Sequence, residues 1–188
     1  MLLLCIQTLE AQHLTYAVML RDEKVGELYV NRTVSKKFTD YKLESLIHVD
    51  KLINMEVEYK LTARFEDGLL FKSSTWQRSN QKVNINTITT RYGNSYLVEM
   101  LNKRNQNIKE NIDFNLCTLY FHEPVGKTRI WSDSYGAFIR VRPAGTHRYE
   151  VLLPDGKRNF YTYHYGICST VETEQLFSKI IFRLIPSK

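Results

Sequence analysis

The sequence contains little cysteine, glycine or proline, and it has no long run of apolar residues. Three cysteines, eight glycines and four prolines occur in 188 residues. Such low counts exclude a disulfide-stapled scaffold, a fibrous repeat and a low-complexity disordered chain. A membrane-spanning helix needs about 20 consecutive apolar residues. The apolar runs of this chain are far shorter, so we expect no transmembrane segment.

Signature motifs of the common enzyme classes are also missing. The sequence has no nucleophile elbow, P-loop, dinucleotide glycine pattern, His-Glu-x-x-His or Cys-x-x-Cys. The five histidines stand at positions 13, 48, 122, 147 and 164, and no two of them have metal-ligand spacing. We therefore expect a non-enzymatic protein without a metal or cofactor.

The sharpest exception is the dipeptide His122-Glu123, which precedes Trp131 and Asp133. A histidine oriented by a carboxylate can act as a general acid or base near neutral pH. Adjacent residues of a strand face opposite sides, however, so this pair can cooperate only where the chain turns. A structural turn ending at Pro124 is the favoured interpretation.

Basic residues exceed acidic ones by a modest margin. The chain has 26 lysines and arginines against 20 aspartates and glutamates, which gives a net charge of +6. A basic protein is attracted to anionic surfaces such as nucleic acids, lipid headgroups or glycans. The basic residues alternate with acidic ones, as they do between Glu56 and Glu66. This distribution is typical of a solvated face, and we expect no nucleic-acid partner.

The first residues resemble the end of a secretion signal. An apolar run from Met1 to Ile6 is followed by Leu9-Glu10-Ala11, which places a small residue before a cleavage point at Gln12. The run is short and no basic residue precedes it, as expected if the signal is truncated. We predict that residues 1–11 are a truncated signal peptide and that the protein is exported to the periplasm or cell envelope. An ordinary N-terminal strand is the alternative.

An exported domain would retain Cys117 and Cys168. Two thiols in an oxidising compartment can form a disulfide. Each of these cysteines stands among apolar residues, which favours the alternative of two buried free thiols.

A two-residue period dominates the rest of the chain and is clearest between residues 53 and 66. Apolar residues there alternate with polar ones, at Ile53, Met55, Val57, Tyr59, Leu61, Ala63 and Phe65. Successive side chains of a strand point to opposite faces. The segment therefore predicts a long strand with one apolar face and one charged face.

Turn signals separate further segments of this kind. Asp67-Gly68 and Pro154-Asp155-Gly156 mark hairpins. Residues 102–111 are polar and predict a loop, whereas Leu116–Phe121 has helical spacing before Pro124. We predict one all-β domain over residues 12–188. About ten strands would form a strongly curved antiparallel sheet, a barrel or half-barrel, with at most one short helix near residues 115–122.

Candidate ligand contacts are aromatic. Tyr161, Tyr163 and Tyr165 alternate along one strand and would share a face, where they can line a groove for sugars or lipid tails. Trp131 is a further candidate. Tyrosines packed against each other, with their hydroxyls at the rim, explain the same spacing.

The ordered landmarks of the chain resemble a group of uncharacterised exported bacterial domains of unknown function. They are Tyr16-Ala17-Val18, Val25-Gly26-Glu27, Val30-Asn31-Arg32, Phe65-Glu66-Asp67-Gly68 with Ser73-Ser74, Leu119-Tyr120-Phe121-His122-Glu123-Pro124, His147-Arg148-Tyr149-Glu150 and Leu153-Pro154-Asp155-Gly156. The strand pattern of this group looks like the half-barrel of periplasmic lipoprotein carriers. The resemblance implies a curved sheet with an apolar hollow, and it implies no catalytic residue.

The favoured functional hypothesis is an extracytoplasmic, non-enzymatic protein that binds or carries an apolar, lipid-like ligand. The alternative is a structural or interaction protein of the cell envelope whose barrel is filled by its own side chains. A hydrolase-type enzyme is a distant third hypothesis, and it would require His, Glu and Ser side chains clustered in a wet cleft.

Overall fold

The computed structural model describes residues 10–49, 55–174 and 179–186. These residues form fourteen strands and one short 3-10 helix, Thr118–Tyr120. The strands are β1 (Glu10–Leu20), β2 (Glu23–Val34), β3 (Phe38–Val49), β4 (Met55–Glu66), β5 (Leu69–Ser79), β6 (Lys82–Tyr92), β7 (Ser95–Met100), β8 (Gln106–Ile108), β9 (Arg129–Ser132), β10 (Ala137–Gly145), β11 (Arg148–Leu152), β12 (Arg158–His164), β13 (Ile167–Glu174) and β14 (Lys179–Leu184).

All fourteen strands belong to one antiparallel sheet. Their order is β8-β7-β6-β5-β4-β3-β2-β1-β14-β13-β12-β11-β10-β9. Neighbours follow each other in sequence except at the centre, where β1 pairs with β14. Within the described ranges β8 and β9 are the two outer strands and are not paired with each other, so the sheet is an unclosed half-barrel. The predicted all-β fold, a strongly curved antiparallel sheet, is confirmed.

The alternation between residues 55 and 66 gives β4 its two faces. Leu61, Ala63 and Phe65 are 0%, 3% and 4% exposed and belong to the core. On the other face, Lys60 is ion-paired with Glu58 at 2.7 Å and is exposed to solvent. The predicted strand and its register are therefore correct over the described part, whereas Ile53 and Asn54 lie outside the described residues.

The number of strands is larger than the predicted ten, because β8, β9, β10 and β13 were not anticipated. The short strand β8 lies within residues 102–111, for which the sequence predicted a loop. In β13 the residues Cys168 and Val171 both face the core, an odd spacing that a regular strand does not allow. A register shift in the pairing with β12, between Thr162 and Tyr163, allows both side chains to point into the core. The strand β10 was not predicted because it contains Pro143, and proline disfavours strand structure.

The chain between β8 and β9, residues 109–128, which we call the inner segment, packs its buried residues, such as Ile112, Leu119 and Phe121, into the hollow of the sheet. Its Ile112 carbonyl accepts a hydrogen bond from the backbone N–H of Leu70 in β5, at 2.7 Å. On the opposite wall, the Tyr163 hydroxyl donates to the carbonyl of Leu119, at 2.8 Å. The 3-10 helix lies in this segment, which confirms the prediction of at most one short helix near residues 115–122.

Three further expectations concern the chain as a whole. Cys117 and Cys168 are both buried and free, so they are not joined by a disulfide. Of the predicted signal peptide, residues 1–9 lie outside the described residues, while Glu10 and Ala11 begin β1. In the part of the chain that the structure describes, no helix has the length and apolarity to cross a membrane.

Candidate functional site

A cavity of about 580 Å³ lies in the hollow between the sheet and the inner segment. Its walls come from β1–β5 and β12–β14, and its floor comes from the inner segment. The lining residues are Leu20, Leu28, Leu43, Ser45, Ile47, Val49, Met55, Val57, Tyr59, Gln77, Ser79, Leu116, Tyr120, Asn159, Tyr161, Val171, Thr173, Ile180 and Phe182.

The cavity is placed by the inward faces of the long strands. Leu43, Ile47 and Val49 alternate along β3 and are 3%, 9% and 7% exposed. Val49 pairs with Met55 of β4, and both residues line the cavity where these two strands end and begin. The residues toward the strand ends, such as Met55, are half-buried, so the cavity opens at this end of the half-barrel.

The other end of the hollow is filled with aromatic rings. Tyr41 and Phe65 are in edge-to-face contact, with ring centroids 5.7 Å apart. Phe121 of the inner segment packs against Tyr41 at 5.8 Å. All three side chains are buried. Rings of this size fill the space that smaller side chains leave empty at the cavity end.

Two of the three candidate tyrosines lie inside. Tyr161 lines the cavity and contacts the Tyr120 ring edge-on, with centroids 6.3 Å apart. Tyr163 holds the inner segment through its hydroxyl and packs against Tyr149 at 5.8 Å. Burial raises the pKa of both Tyr161 and Tyr163, so their hydroxyls are neutral at physiological pH.

The third tyrosine and the tryptophan lie elsewhere. Tyr165 stands in the turn after β12 with a φ of 50°, and it is 93% exposed. The expected common face therefore holds for Tyr161 and Tyr163 and is wrong for Tyr165, because β12 ends at His164. Trp131 is fully buried and contacts the Phe138 ring at 5.2 Å, away from the cavity lining.

The turn between β9 and β10, residues 133–136, brings the two halves of the open sheet together, and we call it the closing turn. The Thr87 hydroxyl of β6 donates to the Ser134 carbonyl at 3.2 Å, and the Tyr59 and Ser134 hydroxyls lie 3.3 Å apart. Gly136 has a φ of +60°, and a Cβ there would lie 2.7 Å from a methyl group of Val98 in β7. Only glycine fits this contact.

Asp133 of the closing turn is a buried carboxyl, 1% exposed. It accepts a hydrogen bond from the side-chain amide of Asn115, at 3.1 Å. Burial raises the pKa of Asp133 from 3.8 to about 6, against the opposing effect of hydrogen bonds from Ser73 and Asn115. The Asp133 carboxyl also contributes to raising the pKa of Tyr59, after the larger effect of burial. The carboxyl of Asp133 thus acts electrostatically on Tyr59, which lines the cavity.

His122 and Glu123 are not arranged as an acid–base pair. Glu123 accepts hydrogen bonds from the Tyr149 hydroxyl at 2.8 Å and from Nδ1 of His147 at 3.1 Å, while His122 is exposed. The segment therefore acts as a structural connection to β11. No group of three or more His, Cys, Asp or Glu residues that could hold a metal ion is found in residues 10–49, 55–174 and 179–186.

A family model described as a domain of unknown function, DUF6134, matches residues 16–185. The chain belongs to this family. The predicted resemblance to an uncharacterised domain family with a barrel-like fold is thereby confirmed. A search of curated proteins found no match to this DUF6134 chain.

Among solved structures, this DUF6134 domain is similar to the crystal structure of a beta-barrel-like protein of domain of unknown function DUF1849 from Brucella abortus. The TM-score is 0.53 at 10% sequence identity, over 92% of this chain and 95% of that chain. At this identity, the likeness shows a shared fold and nothing about activity.

Several cavity-lining residues of this DUF6134 domain can be singled out in the sequence, but as parts of a strand and of a short helix rather than as ligand contacts. Val57 and Tyr59 were recognised as inward residues of one strand, and Leu116 and Tyr120 as one side of a short helix. The polar lining residues Gln77 and Asn159 were missed. Each lies at an inward-facing position near the end of a strand. No local sequence pattern indicates that these ends of distant strands surround one cavity.

Proposed function

We propose that this protein is a non-enzymatic binding protein that holds an apolar, lipid-like ligand in the cavity of its half-barrel. The observation that carries the proposal is the cavity itself, whose 580 Å³ lies within the range of small-molecule sites, about 300–1,000 Å³. Its lining is aliphatic and aromatic apart from a few uncharged polar side chains. A site of this composition selects ligands by burying their apolar surface.

The energetics favour an alkyl chain. Each buried methylene contributes about 0.8 kcal/mol, so about ten of them contribute about 8 kcal/mol. This is the free energy of micromolar binding, and ordering the ligand and the side chains reduces it. Burial of one hydrocarbon chain in the cavity can therefore supply the binding free energy without any ionic contact.

A ligand-binding test compares two tryptophan variants of the same strand. Val57→Trp adds a large ring on the cavity side, whereas Lys60→Trp adds the same ring on the solvent side of β4. The delipidated full chain is titrated with an uncharged fluorescent alkyl probe whose emission changes in apolar surroundings. We expect saturable binding by the wild type and by Lys60→Trp, and loss of binding by at least tenfold in Val57→Trp.

A folded wild type without saturable probe binding would remove the basis of the proposal. That outcome would favour the alternative, a structural or interaction protein. The filled aromatic end of the hollow, where Phe121 packs on Tyr41, is what that alternative expects of the whole interior. Circular dichroism and thermal melting of each variant separate lost binding from lost folding.

We also propose that the domain works outside the cytoplasm. The support is the apolar run at Met1–Ile6, followed by a small residue at Ala11. Fractionation of host cells and N-terminal sequencing of the recovered protein test this. We expect the protein in the envelope or periplasmic fraction with a new N-terminus close to Gln12. Cytoplasmic recovery with Met1 retained would contradict it.

A further inference from the structure

The cavity contains polar atoms but no charge. Among the lining residues, which all belong to the described part of the chain, none is Lys, Arg, His, Asp or Glu. Besides the hydroxyls of three tyrosines, the polar side chains are Ser45, Gln77, Ser79, Asn159 and Thr173. Hydroxyls and carboxamides of this kind both donate and accept hydrogen bonds.

Four of the polar side chains lie at the open end, on opposite walls. Gln77 and Ser79 end β5, while Asn159 begins β12 directly opposite Thr173 of β13. Five strands separate the two walls along the sheet, yet both line the same cavity. These four side chains, which we call the polar rim, are half-buried, whereas the deeper lining is largely apolar and includes the buried hydroxyl of Ser45.

Two arginines beside the polar rim are ion-paired on the outer face of the sheet. Arg78, between the two rim residues of β5, is ion-paired with Glu58 at 2.9 Å. Arg158, beside the rim residue of β12, is ion-paired with Glu174 at 2.8 Å. A charged headgroup at the rim would therefore meet only uncharged side chains in the described lining, and these two arginines are already neutralised by their partners.

We propose that the ligand of this cavity is an uncharged amphiphile: an alkyl chain with a neutral head that carries hydroxyl, ester or amide groups, held by the polar rim. This inference rests on the proposed function and specifies its ligand class. A half-buried carboxylate or ammonium head loses hydration and gains no opposite charge in return. A glycerol or amide head replaces its lost water with hydrogen bonds to the rim.

Three ligands with the same chain length test this class. Monolauroylglycerol, laurate and dodecyltrimethylammonium each carry a twelve-carbon chain and differ in head charge. Each is titrated, below its micelle concentration, against the uncharged fluorescent probe bound to the full chain. We expect monolauroylglycerol to displace the probe at a concentration at least tenfold lower than either charged ligand.

Substitutions in the polar rim sharpen the test. The double variant Gln77→Met with Asn159→Leu keeps the shape of the rim and removes its hydrogen bonds. We expect about tenfold weaker binding of monolauroylglycerol, read relative to the probe affinity that is measured for the same variant. Gln77→Lys should increase laurate binding by about tenfold, because it introduces a cation. Gln106→Met, on the exposed strand β8, is the matched control.

The outcomes separate the two proposals. Equal displacement by all three ligands, or stronger displacement by a charged one, overturns the neutral-head inference and leaves the apolar binding function in place. An unchanged monolauroylglycerol affinity in the double variant also overturns the neutral-head inference. Absence of probe binding to the folded wild type overturns the proposed function, and the ligand class with it.

Discussion

Both ends of the half-barrel are built from strands in which inward and outward residues alternate, but one end is filled and the other is hollow. At one end, inward residues such as Tyr41 and Phe65 carry large rings and meet Phe121 of the inner segment. At the other end, inward residues such as Leu43 and Ile47 carry smaller side chains and leave a cavity of about 580 Å³. A strand face that alternates correctly is therefore compatible with a packed core and with a hollow. Side-chain volume and the path of the inner segment decide which of them forms.

The largest effect should come from the filled end. Phe121→Ala removes a ring that is 3% exposed and packed on Tyr41. We expect a loss of about 3–5 kcal/mol in the free energy of unfolding, measured by urea denaturation. Val125→Ala, at an inner-segment position that is 72% exposed, should cost less than about 0.5 kcal/mol. Similar losses from both would mean that this end is not packed as described.

The closing turn links the two ends, and Asp133 makes its stability depend on pH. The folded pKa of about 6 lies above the ordinary value of 3.8, so the folded state retains the Asp133 proton between these values. The stabilisation is complete below about pH 4 and is lost as the pH rises through about 6. Asp133→Asn removes this loss and should raise stability at pH 7 by up to about 3 kcal/mol.

The Asp133 effect is read as the difference between variant and wild type at each pH. Other carboxyls, such as Glu66 beside Lys37, have a lowered pKa and act in the opposite direction in both proteins. Urea unfolding at pH 4 and pH 7 gives the comparison. A difference that does not grow from pH 4 to pH 7 would show that Asp133 is not buried as a carboxyl of raised pKa.

A smaller effect is expected at the cavity end. Ile47 is 9% exposed, but part of its side chain faces the cavity and has no packing partner there. We therefore expect Ile47→Ala to cost about 1–2 kcal/mol, below the usual range for a core isoleucine. Thermal and urea unfolding of the ligand-free protein measure it. A loss as large as that of Phe121→Ala would indicate that both ends are equally filled.

The smallest effect should come from the solvent face. Lys60 is about half exposed and is ion-paired with Glu58 on the outer side of β4. Surface pairs of this kind contribute little, so Lys60→Ala should stay within about 0.5 kcal/mol. Leu61→Ala, at the next residue and fully buried, should cost about 2–5 kcal/mol. Equal losses would mean that the register of β4 is wrong.

The fold could be predicted from the sequence wherever neighbouring residues carry the signal. The alternation around Leu61 and the turn at Asp67-Gly68, where φ is 50° and 80°, are local features. The strand β13 was not predicted because its bulge breaks the alternation between Cys168 and Val171. The period of two is a reliable guide only while the register remains unbroken.

The candidate site was harder to predict because its parts are distant in sequence. Gln77 and Asn159 line one cavity although they belong to strands on opposite walls. Tyr161 and Tyr163 follow the predicted face, whereas the positive φ of Tyr165 places it in a turn. The sequence of the inner segment predicts only a short helix. Its residues do not indicate that it packs into the hollow of the sheet. Long-range contacts of this kind depend on the curvature of the whole sheet.

The order of the strands also has a consequence for how the chain folds. In the described residues, every ladder of the sheet joins strands that are consecutive in sequence, except the one between β1 and β14. Consecutive hairpins form from local contacts and are fast, whereas pairing Tyr16 with Leu184 must bring distant parts of the chain together. Two arms, β1–β8 and β9–β14, can therefore assemble independently. We expect their joining along the β1–β14 seam to be the slower step, because among the described strands this ladder pairs residues from opposite ends of the chain.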